Sequence, residues 1–106
     1  MSVNKVILLG NVGSDPTVRY PEKDMPVASL SLATNEVQGE SRQEITEWHR
    51  LVFYGNPARM AERYIRKGTR LYVEGRLRTR QYQDRLGITR SITEILVENL
   101  EILGRQ

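Results

Sequence analysis

The segment Thr46-Glu47-Trp48-His49-Arg50-Leu51-Val52-Phe53-Tyr54-Gly55-Asn56-Pro57-Ala58-Arg59-Met60-Ala61-Glu62-Arg63-Tyr64-Ile65-Arg66-Lys67-Gly68 changes its hydrophobic period midway. Up to Tyr54 it reads as a strand, in which side chains two apart share a face. Trp48, Arg50, Val52 and Tyr54 then lie on one face, and His49, Leu51 and Phe53 on the other. From Asn56-Pro57 onward it reads as a helix. Asparagine is a good N-cap, and proline at the first helical position costs no hydrogen bond. Met60, Ala61, Tyr64 and Ile65 recur on one helical face, while Arg59, Glu62, Arg63 and Arg66 point elsewhere. Lys67-Gly68 closes the helix with a cation in the last turn and a glycine able to turn left-handed.

Strand signals flank this unit on both sides. Val6-Ile7-Leu8-Leu9 is an apolar run without alternation, ended by Gly10-Asn11-Val12-Gly13, which predicts a strand covered on both faces. Ser14-Asp15-Pro16 turns the chain, and Thr17-Val18-Arg19-Tyr20 reads as a brief strand. Val27 to Val37 places Ala28, Leu30 and Leu32 on one face, and a polar hairpin connection, residues 38–43, follows it. Beyond the helix, Thr69 to Gln83 reads as a strand in which Gly75 marks a bulge or a close backbone approach. Asp84-Arg85-Leu86-Gly87 turns into a last strand, Ile88 to Leu103, whose apolar positions change parity between Ile92 and Ile95 and predict a bulge there. Five principal strands, with one helix between the third and fourth, predict a single OB-fold domain over residues 1–106: a five-stranded Greek-key barrel, all-β apart from that helix.

Composition narrows the function classes. A chain of 106 residues builds one modest core. Its net charge of +3 is mildly basic without a polybasic block, so charge placement decides what it binds. There is no cysteine, hence no disulfide and no thiolate metal site, and His49 is the only histidine. The acids form no metal-binding or acid–base pattern, and Gly10-Asn11-Val12-Gly13 lacks the Lys-Ser/Thr of a phosphate loop. The expectation is a non-enzymatic protein without cofactor or metal. No run reaches transmembrane length and the N-terminus lacks signal-peptide regions, which predicts a soluble cytoplasmic protein without a membrane partner.

The strand parity picks out a surface. Tyr72, Arg76, Arg78, Arg80 and Tyr82 share one face of their strand, opposite Leu71, Val73 and Leu77. With Trp48, Arg50 and Tyr54 they make a set of flat rings interleaved with guanidinium groups, the chemistry of a single-stranded nucleic-acid platform. The bland alternatives are a core tryptophan, an edge tyrosine held by its hydroxyl, and a solvated arginine face balanced by acids, for which Glu74 and Glu94 are the nearby candidates. Against them, Leu51 and Phe53 already supply the core face of Trp48's strand. Like charges at alternate positions also repel unless a polyanion lies over them. The candidate nucleic-acid-binding residues are therefore Trp48, Tyr54, Tyr82, Arg50, Arg76, Arg78 and Arg80, with Lys5 and Arg19 as further phosphate contacts. His49 reads as structural, on the side away from Trp48.

At these residues the sequence resembles the bacterial single-stranded DNA-binding protein family over essentially its whole length. The matching segments run in order: Val3-Asn4-Lys5-Val6-Ile7-Leu8-Leu9-Gly10-Asn11-Val12-Gly13 with Asp15-Pro16, then Leu32-Ala33-Thr34, then Thr46-Glu47-Trp48-His49-Arg50. Tyr64-Ile65-Arg66-Lys67-Gly68, Leu71-Tyr72-Val73-Glu74-Gly75-Arg76-Leu77-Arg78-Thr79-Arg80 and Thr93-Glu94 complete the series. The resemblance implies an OB-fold homotetramer that wraps single-stranded DNA without sequence preference, in replication, recombination and repair, in the nucleoid-associated cytoplasm. It carries the stacking role to Trp48, to Tyr54 where phenylalanine is common, and to Tyr82 where tryptophan is common. It places His49 at a subunit contact. A further stacking tryptophan of the family falls near Val37 here and is missing. The usual long tail with an acidic tip does not follow Gly104-Arg105-Gln106, so tail-mediated recruitment of replication proteins is not expected of this chain. The alternative reading is a tailless OB-fold protein-interaction module of the replication-restart primosome, separated by subunit count. An OB-type RNA binder is separated by competition.

Overall fold

Strand β3 (Met25–Gln38) is the spine of the molecule, because it touches three other strands. The computed structural model, which describes residues 1–105, places around it β1 (Val6–Val12), β2 (Thr17–Glu22), β4 (Gln43–Tyr54), β5 (Thr69–Gln83) and β6 (Thr89–Arg105). The strand order β1-β5-β6-β4-β3-β2, with β1 also pairing β3, closes a barrel and leaves β2 on the outside edge of β3. All pairs are antiparallel except β4 with β6, where Leu51 lies opposite Ile95. The helix α1 (Asn56–Tyr64) falls between β4 and β5, the expected OB position once β2 is counted as a strand.

Alternation in β3 works as the sequence implies, with Ala28, Leu30 and Leu32 turned inward and buried. They meet Leu51 and Phe53 of β4, Leu71 and Val73 of β5, Ile95 and Val97 of β6, and Ala58, Ala61 and Ile65 at the helix. The core face of the helix is narrower than its sequence suggests: Met60 and Tyr64 stay exposed, and two alanines let the helix approach the barrel end. Its N-cap is Gly55, at φ 64°, rather than Asn56. The chain leaves β4 through a left-handed bend, in which the Gly55 amide donates to the Pro26 carbonyl at 3.2 Å. The Asn56 side chain instead accepts from Arg59.

Three further expectations change. First, β1 is covered on one face only: Val6 and Leu8 turn to the core, whereas Ile7 and Leu9 are 57% and 47% exposed. Second, the β6 ladder runs unbroken from Thr89 to Val97, and its register shifts come later: Glu98 is skipped between Val97↔Gly75 and Asn99↔Glu74, and Leu103 between Ile102↔Leu71 and Gly104↔Arg70. The apparent parity change arises because apolar Ile92, opposite Arg80, lies on the outward face, whereas Ile95 and Val97 face the core. Gly75 does sit at the bulge, where a β-carbon would run into the Leu96 carbonyl. Third, Leu77 is exposed, since the β5–β6 hairpin leaves the barrel at that point. There the side-chain amide of Asn4 replaces a strand partner, donating to the Leu77 carbonyl and accepting from its amide, both at 2.9 Å. The β3–β4 and β5–β6 hairpins project as arms, and the 15.1 Å radius of gyration accordingly exceeds the ~13 Å of a compact chain of this length.

Candidate nucleic-acid interface

The outward face of β4 carries its rings against small neighbours. Trp48 pairs with Ala33, Arg50 with Ser31, Val52 with Ser29 and Tyr54 with Val27. Nothing beside them covers the rings, and Trp48 remains 62% and Tyr54 45% exposed. Six residues of extended chain set them ~20 Å apart. The six-membered ring of Trp48 rests on Gly13, whose missing side chain is its seat, since a β-carbon there would overlap ring carbon Cζ3. The Gly13 amide is itself fixed by donation to the Ser31 carbonyl at 2.8 Å.

Strand β5 brings the arginine row beside this face. Arg76, Arg78 and Arg80 stand opposite Leu96, Glu94 and Ile92 of β6, and Tyr82 stands opposite Arg90 on the projecting arm, 42% exposed. Arg78 Nη2 donates to the Tyr54 hydroxyl at 3.1 Å and braces that ring. The turn beyond Tyr82 is built on Asp84, whose carboxylate accepts from the amides of Leu86 and Ile88 and from Arg90 Nε at 2.7 Å.

Between the two strands lies Glu94, only 2% exposed. Its two oxygens accept one from Arg50 Nε at 3.0 Å and the other from Arg80 Nε at 2.8 Å. Burial pushes this carboxyl's pKa up, but hydrogen bonds and charge from Arg80 and Arg50 outweigh burial and hold it below the ordinary glutamate value. Arg50, Arg80 and Glu94 line a crevice with Arg19, Ser29 and Tyr54. The solvated-face reading of the arginine row therefore holds in part. Arg50 and Arg80 share Glu94, Arg76 lies 3.7 Å from Glu98, and Arg78 has no acid partner among the described residues.

The structure thus gathers Trp48, Tyr54, Arg50, Arg76, Arg78, Arg80 and Arg19 on one outer surface, with Tyr82 on the arm that extends it. Lys5 stands apart, paired with Glu74 at 3.3 Å, and that carboxylate also accepts from the Tyr72 hydroxyl at 2.6 Å. The Tyr72 hydrogen bond and then Lys5 lower the Glu74 pKa, while Glu74 raises that of Tyr72. His49 is half-buried, its Nε2 2.8 Å from the Thr34 hydroxyl, and Val37 is exposed on the β3–β4 arm. Gly13 under Trp48 had no signal in the sequence beyond a glycine at a strand end. Among the described residues, no cluster of three or more metal-ligating side chains forms, and no helix is long and apolar enough to cross a membrane.

A sequence model described as the single-strand binding protein family matches residues 3–103. The chain belongs to that family. Family membership assigns binding rather than catalysis, and the barrel is the OB fold of single-strand binding proteins. One relative is a single-stranded DNA-binding protein of Bacteroides thetaiotaomicron, 47% identical over 109 residues covering 98% of this chain and 68% of that protein. A similar solved structure is the Plasmodium falciparum single-strand binding protein in complex with single-stranded DNA. It has a TM-score of 0.87 at 36% identity, covering 97% of this chain and 96% of that one.

Proposed function

We propose that this family member binds single-stranded DNA without sequence preference, holding exposed strands open and protected during replication, recombination and repair. Bases stack on Trp48, Tyr54 and Tyr82, and phosphates are met by Arg50, Arg76, Arg78 and Arg80, with Arg19 and Lys5 at the margins. The observation that carries this reading is the continuous outer surface of β4 and β5, where half-exposed rings alternate with guanidinium groups. The relative solved with single-stranded DNA supports it. The test is competition against labelled oligo-dT by mixed-sequence DNA, single-stranded RNA and duplex DNA. Equal competition by all single-stranded DNA, with weak competition by duplex, is expected. A marked preference for one sequence contradicts the reading, and stronger competition by RNA redirects it to RNA.

The chain also works as a homotetramer in this proposal. Ile7 and Leu9 form an apolar pair on the outer face of β1, beside Tyr72 of β5, that the described residues leave about half exposed. A second copy supplies the missing cover, and half-buried His49 is a further contact between copies.

A further inference from the structure

We infer that Glu94 is a positioning residue of the DNA-binding face: it holds Arg50 and Arg80 by their Nε atoms so that both present their terminal amino groups to one phosphate. The inference rests on the single-stranded DNA reading given above.

Each guanidinium reaches Glu94 through Nε alone, at 3.0 Å from Arg50 and 2.8 Å from Arg80. A pair formed to cancel charge most fully is the bidentate fork, in which a carboxylate takes two parallel hydrogen bonds from one guanidinium. Here the carboxylate is split between two arginines from different strands, one oxygen each. Neither guanidinium has another hydrogen-bond partner among the described residues, so the terminal nitrogens of both remain free. Their side chains are about two-fifths exposed (41% and 40%), whereas that of Glu94 is 1% exposed beneath them. The carboxylate thus forms the floor and the guanidinium groups the rim.

This arrangement has two chemical consequences. Two cations sharing one anion keep a net positive charge, so the rim still attracts a phosphate. The Nε bonds also fix side chains that would otherwise sample many rotamers, so less conformational entropy is lost when DNA arrives. Arg19 and Ser29 line the same crevice, which gives a phosphate oxygen further donors. Lysine does this work less well: its ammonium can donate to Glu94 and to a phosphate, but from one rotatable, strongly hydrated nitrogen, without the planar fork that lets Nε be held while two further nitrogens face outward.

The test is Glu94→Gln, with oligo-dT affinity measured at several salt concentrations. The substitution removes a negative charge beneath a polyanion site, so charge alone predicts tighter binding. The positioning role predicts the opposite sign, a loss of about tenfold, the scale of one hydrogen bond to a charged group. The loss should vanish when Arg50→Ala and Arg80→Ala are already present, since Glu94 acts only through them. Unchanged or tighter binding overturns the inference, as does an equal loss in the background lacking both arginines. Should Glu94→Gln not fold, Arg50→Lys and Arg80→Lys keep the buried carboxylate paired. Their expected result is native stability with weakened binding, and undiminished affinity overturns the inference. Failure of the wild-type chain to bind dT removes the DNA reading itself, whereas wild-type binding with a tighter Gln variant removes only the role of Glu94.

Discussion

At the scale of single residues, Trp48 stands exposed on its strand with glycine at its back. Truncating it to alanine removes one stacking platform, so Trp48→Ala is expected to weaken binding to every single-stranded sequence alike, by roughly 1–3 kcal/mol. Titrations with dT and mixed-sequence oligomers at matched salt measure this. Gly13→Ala leaves the ring present but unseats it. Its expected signature is reduced binding-induced quenching of Trp48 with an unchanged melting temperature, and unchanged quenching counts against the seat. The rings were legible in the sequence because strand parity alone separates Trp48 and Tyr54 from Leu51 and Phe53. Glu94 was legible only as an acid near an arginine row. Its two partners lie 44 and 14 residues away, and nothing local says which acid comes to rest between them.

At the scale of elements, the β5–β6 arm carries Tyr82, and its tip depends on one carboxylate. The hydrogen bond from Arg90, then the Ile88 amide, holds the Asp84 pKa below the usual aspartate value, against a smaller opposing effect of burial. The folded form therefore releases its proton at lower pH than the unfolded form. This stabilisation is complete above the ordinary carboxylate range and is lost as pH falls through the depressed folded value. Hydrogen-exchange protection of the Leu86 and Ile88 amides should fall over that acidic window, and Asp84→Asn should abolish the pH dependence. The turn itself was readable from Asp84-Arg85-Leu86-Gly87, as was the helix from its change of period. The bulge was misplaced because Ile92 is apolar yet lies on the outward face opposite Arg80, and alternation cannot distinguish an apolar outer residue from a core one. The helix cap was missed for a related reason: the bend that sets it lies in Gly55, tied to distant Pro26.

At the scale of the whole molecule, the barrel closes its core but not its outer surface. The unalternating run Val6-Ile7-Leu8-Leu9 signals two covered faces, and a single chain covers one. Ile7→Glu places a charge in the proposed subunit contact and is expected to lower the mass seen by light scattering from that of four copies. An unchanged mass would assign assembly to another surface. The stacking rings Trp48 and Tyr54 stand on β4, which does not pair with β1, so dissociated chains should retain the intrinsic quenching of Trp48 while losing affinity for long strands.

The most direct measurement is a titration with oligo-dT of increasing length, following Trp48 fluorescence at two salt concentrations. Trp48 is the chain's only tryptophan, so the signal reports one ring. The predicted result is strong quenching at a fixed stoichiometry. Affinity should fall with salt at a logarithmic slope of about −0.7 per phosphate contacted. No quenching and no binding at low salt would contradict the account and leave the rings and arginines of β4 and β5 as a protein-contact surface.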